Sequence, residues 1–375
     1  MRNFIQVDLK QIKRNLDEIE KALPKGCDVI AVVKANAYGH GDVPVVKFLE
    51  DYYGLHIFAV AGLDEALRLR AAGIKGDILV LSYISISDIE TAIDNNITIT
   101  IVGAEHAVAV SNEAVRLGKV VNVHIALNTG MNRIGFECKA FKQLMTIAGV
   151  YQLPGICCRG IFSHFSSSDD SSRGAEPYTK LQLDRFSKVL SYLSERGIRP
   201  GIKHIANSGA IDQYPKTYFD AVRCGALLYG YNTAPKTSIS VVPVMQWVAE
   251  ISQIREIEFG DAVSYSRKFV AKDKTKIATV CIGYADGLPR SLSNKGHVLI
   301  HGVKCPIVGN ICMDQMMVDI SEIKDEVKMG DYAVIIGRSG DIIQTADDLA
   351  AEAGTCMHDI LSSIQARVKR VYLEA

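Results

Sequence analysis

Residues 28–41 read Asp28-Val29-Ile30-Ala31-Val32-Val33-Lys34-Ala35-Asn36-Ala37-Tyr38-Gly39-His40-Gly41, and the rest of the chain is organised around them. Five apolar residues, mostly β-branched, run without interruption into a lysine. A run of that kind predicts a strand buried on both faces, the habit of parallel sheets enclosed by helices. Lys34 then falls where the strand ends, and in parallel α/β proteins the carboxyl ends of strands collect the chemistry. Desolvation there penalises the ammonium and lowers its pKa. A neutral amine can attack an aldehyde and hold it as a Schiff base. The alternative is a lysine whose stem lies on apolar surface while its head reaches water.

The pattern repeats downstream. Short apolar runs occupy 57–62, 77–82, 97–102, 120–127, 160–165, 202–207 and 220–225. With the Lys34 strand they make eight, the last being the weakest as a pattern. Segments of helical period separate them, such as 63–73 and 177–197, both ending on glycine. Eight strand–helix units in succession predict an α/β fold built on a (β/α)₈ TIM barrel. The texture changes near Asn232-Thr233-Ala234-Pro235. Beyond it, β-rich runs alternate with glycine turns, and helical periodicity returns only at 345–354 and 358–372. The expected domains are a barrel over 1–234 and a mostly-β domain over 235–375.

Composition narrows the class. Of 375 residues, 48% are hydrophobic and 22% charged, which fits a globular protein with a large core. Lys+Arg and Asp+Glu number 42 each, so bulk charge favours neither nucleic acid nor an anionic membrane. The charged, amphipathic opening segment lacks an apolar signal core, and no apolar run is long enough to span a bilayer. The nine cysteines form no C-x-x-C spacing and H-E-x-x-H is absent, so no metal site is expected. A cytoplasmic protein with reduced thiols is the expectation.

If Lys34 marks the top of strand one, the other strand ends should complete a site. Strand five runs into Asn128-Thr129-Gly130 and then Arg133. Strand six carries His164, strand seven ends at Asn207-Ser208-Gly209, and strand eight carries Arg223 and Gly225. One such residue at a strand end is commonly a loop residue. Four at one face of one barrel point to a site.

The Lys34 segment closely resembles the pyridoxal phosphate (PLP) lysine segment of the alanine racemase family. Later segments match in the same order across nearly the whole chain. The resemblance implies the barrel plus β-domain, a homodimer, and PLP carried on Lys34. Tyr38, Ser208 and the backbone at Gly225 and Ala226 match the positions that hold the cofactor phosphate. Arg223 matches the arginine facing the pyridine nitrogen, His164 the histidine linked to it, and Arg133 the arginine near the substrate carboxylate. Tyr265 matches the catalytic tyrosine, which the family supplies from the partner subunit together with Tyr284, Met313 and Asp314. An arginine is never deprotonated, so at Arg223 it can only donate and keeps the pyridine nitrogen unprotonated. That weakens the cofactor as an electron sink and favours quick return of a proton at Cα. A phenol titrates near ~10, so Tyr265 needs a neighbouring donor, and His164 backed by Arg223 is the candidate.

Four positions depart from the family's pattern. Ala126 stands where a lysine, often carbamylated, is usual, and Asn128 where an aspartate is usual. Asn128 or a bound chloride is therefore expected to brace Arg133. Asn310 replaces an arginine common in the access channel. Ala366 replaces a tyrosine that bounds the substrate pocket, which opens space for a larger side chain. The expected activity is racemisation of alanine by two bases, Lys34 and Tyr265, supplying D-alanine. The alternatives are a racemase of serine or larger amino acids, a decarboxylase, for which an acid in place of Arg223 would be expected, and a non-catalytic PLP-binding protein, which would lack Tyr265.

Overall fold

The computed structural model describes residues 2–233 and 238–373. The chain divides into two compact units. One comprises Ile12–Ala37 and Asp42–Val242, the other Met1–Gln11, Tyr38–Gly41 and Pro243–Ala375. The expected domain boundary at 234/235 lies outside the described residues.

In the larger unit eight parallel strands close into the expected barrel. They are Asp28–Val32, Ile57–Val60, Asp77–Val80, Ile97–Ile101, Val121–Asn128, Ile156–Phe162, Ile202–His204 and Ala221–Cys224. Each pairs with its sequence neighbours, and Ala221–Cys224 closes on Asp28–Val32 in the register Val222↔Val29 and Arg223↔Ile30. Ile57–Val60 and Ile97–Ile101 are buried at every residue, which is why they read as unbroken apolar runs. Helices intervene, among them Leu63–Ala71, Ala104–Leu117 and Ala175–Ser194. The last buries Thr179, Gln182, Phe186, Val189 and Leu193, a stripe at the 3.6-residue period. Cys157 and Cys158 are strand residues, both free.

The smaller unit is mostly β. Its main sheet runs in the order Val303–Pro306, His297–Ile300, Tyr332–Ser339, Met245–Ile257, Asn3–Asp8, Lys369–Leu373, and Thr275–Val280 joins Met245–Ile257 to Met316–Asp319. Val248, Leu299 and Val334 form one core cluster, with Phe4 and Ile342 packed against it.

One segment carries no secondary-structure expectation from sequence, and another differs from expectation. The opening segment divides into a strand, Asn3–Asp8, and a helix, Leu9–Ala22. The strand lies between Met245–Ile257, antiparallel, and Lys369–Leu373, parallel. The final helical run over 358–372 is likewise divided into a helix Met357–Ser362 and the strand Lys369–Leu373. In both places sheet pairing with distant chain decides the conformation over local period. Among the described residues, no helix is long and apolar enough to cross a membrane.

Candidate active site

The backbone changes hand at the end of the first barrel strand. The Val33 amide still bonds the Ala59 carbonyl (2.8 Å). After Lys34, the residues Ala35, Asn36, Ala37 and Tyr38 all take left-handed conformation, with φ of 52–55°. Each such L-residue costs about 1–2 kcal/mol, so the turn persists only because its surroundings fix it. The Ala37 amide donates to the Val33 carbonyl (2.8 Å), the Asp42 amide to Asn36 Oδ1 (3.1 Å), and the Ala35 amide to Glu65 Oε1 (2.6 Å). Glu65 Oε2 also accepts from the Ala61 amide (2.7 Å), so one carboxylate ties the lysine turn to the loop after the second strand. Sequence reasoning did not single out Glu65. Its signal is the acid at the third position of a helix that follows a barrel strand.

The Lys34 amine is pulled below its ordinary pKa, first by burial and then by Arg133, with Glu65 acting in the opposite sense. Arg133, exposed in this chain, has no hydrogen-bonded or ion-paired partner among the described residues. Asn128 does not brace it. That side chain is spent on its own loop, donating to Glu137 (2.5 Å) and Asn132 Oδ1 (3.0 Å) and accepting from the Asn132 amide (2.9 Å). Arg133 is exposed here, so burial puts no penalty on its charge that a counter-anion would have to offset. Ala126, buried on the same strand, has no amine to carry a carbamate.

Arg223 is the centre of the barrel's polar core. It is 3% exposed. Nη1 donates to His204 Nδ1 (2.8 Å) and Nη2 to His164 Nδ1 (3.0 Å), with further bonds to the carbonyls of Ser163 (2.7 Å), His204 (3.1 Å) and Ile205 (3.1 Å). Burial, then the charge of Arg133, pull its pKa down to about 9, so it remains a cation at neutral pH. Since arginine has no acceptor, both histidines must present bare Nδ1 atoms. His164 is therefore neutral with its proton on Nε2. His204, protonated on Nε2 in the same way, donates to His124 Nδ1 (2.9 Å). Gly160 makes room for that ring, since a Cβ there would stand 2.5 Å from it. Both terminal nitrogens of Arg223 are thus committed to protein. Its Nε–H has no partner among the described residues and is free for a ligand acceptor.

Burial drives all three histidines below their ordinary pKa, His124 to about 3. In the unfolded chain they protonate near ~6.5. Stability is then fully present above that pH and is lost as pH falls toward the folded values, by up to about 1.4 kcal/mol per pH unit for each histidine. Urea midpoints should fall steadily from pH 7 to 5, before most carboxylates titrate, and His124→Gln should flatten the slope. A midpoint flat over that interval contradicts neutral histidines in the core.

At the seventh and eighth strand ends Ser208 opens a short helix, and its Oγ accepts from the Gly225 amide (3.1 Å). Among the described residues no acceptor takes its hydroxyl proton. Gln182, also missed in the sequence, donates to the His164 carbonyl (2.9 Å) and to Thr129 Oγ1 (3.2 Å), which steadies the fifth and sixth strand ends.

The remaining expected residues gather in the smaller unit. The Tyr284 and Ala285 amides bond the Cys312 and Met313 carbonyls (3.1 and 3.0 Å). Tyr265, Tyr284 and Met313 are 71%, 41% and 53% exposed. Asp314 is paired with Arg367 (2.6 Å), which also reaches the buried Asp286 (3.0 Å). Tyr38 belongs to this unit too, its ring 5.6 Å from that of His358. Arg370 donates to the neighbouring Gly39 carbonyl (3.1 Å).

Family models for the N-terminal and C-terminal domains of alanine racemase match residues 7–233 and 244–372. The chain belongs to the alanine racemase family. The alanine racemase of Clostridium tetani is 40% identical over 374 residues, which cover 99% of this chain and 95% of that protein. A solved alanine racemase from Clostridium difficile is 35% identical, with a TM-score of 0.93 over 100% of this chain and 96% of that one. One from Bartonella henselae, described with covalently bound pyridoxal phosphate, is 29% identical, with a TM-score of 0.88 over all of both chains. The alanine racemase family is PLP-dependent. The larger unit suits that cofactor: Lys34, Arg133 and Arg223 offer three cations to an anionic ligand, with Lys34 and Arg223 held below their ordinary pKa and the Arg223 Nε–H unspent among the described residues.

Proposed function

We infer that this protein is a PLP-dependent isomerase interconverting L- and D-alanine in the cytoplasm, working as a homodimer. Membership of the alanine racemase family carries the reaction, and the serine alternative is not favoured by the relatives. The nine free cysteines fit a reducing compartment. The dimer is supported by the exposed Tyr265, Tyr284 and Met313, large side chains of a kind that interfaces cover.

PLP would be held by Lys34 through its aldehyde carbon, by Tyr38, Ser208 and the backbone at Gly225 and Ala226 at its phosphate, and by Arg223 at its ring nitrogen. When bound, it accepts the electron pair left on Cα after a proton departs. Arg223 tunes that capacity downward, because a donor-only group keeps a proton off the ring nitrogen. Arg133, unpaired among the described residues, binds the substrate carboxylate.

Inversion then needs two bases on opposite faces of Cα. Lys34 Nζ takes or returns the proton on one face, helped by the burial that makes its amine easier to deprotonate. Tyr265 Oη of the other subunit serves the second face. Its phenol is assisted by the Nε2–H of His164, which Arg223 holds in the donor tautomer. Tyr284 and Met313 of that subunit line the pocket, and Asp314, held by Arg367, fixes their loop.

The direct test is to incubate the PLP-loaded protein with L-alanine and, separately, L-serine, and to separate the enantiomers by chiral chromatography. D-alanine should accumulate to equal amounts with L-alanine, well ahead of any D-serine. Absence of D-alanine would overturn the reading.

A further inference from the structure

Tyr265 stands in the most strained stretch of the smaller unit. Ser264 has φ 66° and ψ −174°, a region otherwise all but reserved for glycine, and Ser266 and Arg267 are left-handed, with φ of 62° and 49°. Three of four consecutive residues with a Cβ therefore hold conformations that L-residues avoid. Nothing in the side chains of serine or arginine favours them. Such a stretch keeps one shape only if contacts from outside it fix that shape.

Those contacts come from Gly309 and Asn310. Ser264 Oγ donates to the Asn310 carbonyl (2.6 Å), and Asn310 Nδ2 donates to the Tyr265 carbonyl (2.9 Å). The two bonds run in opposite directions and bracket the peptide between Ser264 and Tyr265. Beneath them Val263 packs with Val308 and Ile277. The approach requires glycine at 309, where φ is +78° and a Cβ would lie 2.7 Å from the Val263 carbonyl oxygen. The turn is itself anchored, since the Gly309 amide donates to Asn294 Oδ1 (2.7 Å) and the Ile311 amide to Ser293 Oγ (3.0 Å). Among the described residues, only the Asn310 amide group grips the tyrosine residue itself.

We propose that Asn310 is a positioning residue for Tyr265, its side-chain amide fixing the tyrosine's backbone so that the phenol meets Cα. This rests on Tyr265 being the second base. The chemistry required is a donor on a short stem. Alanine removes the donor, and aspartate, of the same shape, sets an oxygen against the Tyr265 carbonyl oxygen. The bond lies near the surface, so its loss falls on placement rather than on folding.

The experiment compares Asn310→Ala, Asn310→Asp and Tyr265→Phe as PLP-loaded enzymes. Each is assayed for alanine racemisation and for exchange of the α-hydrogen with solvent deuterium, starting from each enantiomer separately. Asn310→Ala should lower kcat roughly tenfold or more, as expected when a reacting group is misplaced by a fraction of an ångström. Exchange from the enantiomer whose hydrogen faces Lys34 should stay at the wild-type rate, and exchange from the other should fall with kcat. Asn310→Asp should show the same split, more severely. A structural defect alone would depress both exchanges together, and that result overturns the proposal. So does wild-type racemisation by Asn310→Ala when Tyr265→Phe is inactive. Wild-type racemisation by Tyr265→Phe overturns the two-base reading itself.

Discussion

Lys34→Ala is expected to lower kcat for alanine racemisation by roughly 10⁴-fold or more, because on the proposed reading it removes both the cofactor's covalent anchor and one of the two bases. The purified protein should be yellow with PLP, and the variant should lose that absorbance on dialysis. Added primary amine should return part of the colour but little of the racemisation, since a free amine is not held at one face of Cα. The fold should survive, because the left-handed turn after Lys34 is fixed by backbone bonds to Glu65, Val33 and Asn36 and not by the lysine side chain. A colourless wild type after incubation with PLP would remove the basis for assigning Lys34.

Mixed dimers are expected to give the second large effect. Lys34→Ala and Tyr265→Phe should each be nearly inactive alone. If Tyr265 acts in the partner's site, a hybrid dimer contains one site with both intact residues and one with neither. Random exchange of equal amounts makes half the dimers hybrid, so activity should return to roughly a quarter of the wild-type value. Exchange can be followed with one subunit tagged. Demonstrated exchange without recovered activity would show that each subunit uses its own tyrosine.

The barrel was legible because each of its strands is a local apolar run ending at a turn, and parallel strands buried on both faces need no distant partner to be recognised. The strand Ala221–Cys224 read weakly because it is four residues long and carries Arg223 inward. The candidate residues on strand ends could be found one by one, since charged and hydroxyl side chains at that face of a barrel point to ligands. The uses of Glu65, Gln182 and Asn310 were not legible, although Glu65 carried a helix-start signal and Asn310 stood out as a departure. Each acts on a backbone amide or carbonyl belonging to a distant residue, and no residue type announces that use. His124 and His204 sit within apolar strands, where only the structure reveals that they extend from Arg223. The strand Asn3–Asp8 was hidden for another reason: it precedes a strongly amphipathic helix, and its sheet partners lie far along the chain.

That pairing also sets a timetable for synthesis. About 365 residues separate Phe4 from its partner Lys369, which at translation rates of 5–20 residues per second takes roughly 20–70 s to produce. All eight barrel strands are made before residue 225, so the Lys34 unit can close while translation continues. Asn3–Asp8 meanwhile has open edges on both sides, the condition in which strands recruit wrong partners. It gains its first neighbour with Met245–Ile257 and its second only with Lys369–Leu373. The unit bearing Tyr265 is therefore completed last. A nascent chain halted before residue 369 would hold all eight barrel strands and Lys34, while the unit bearing Tyr265 still lacked its last strand.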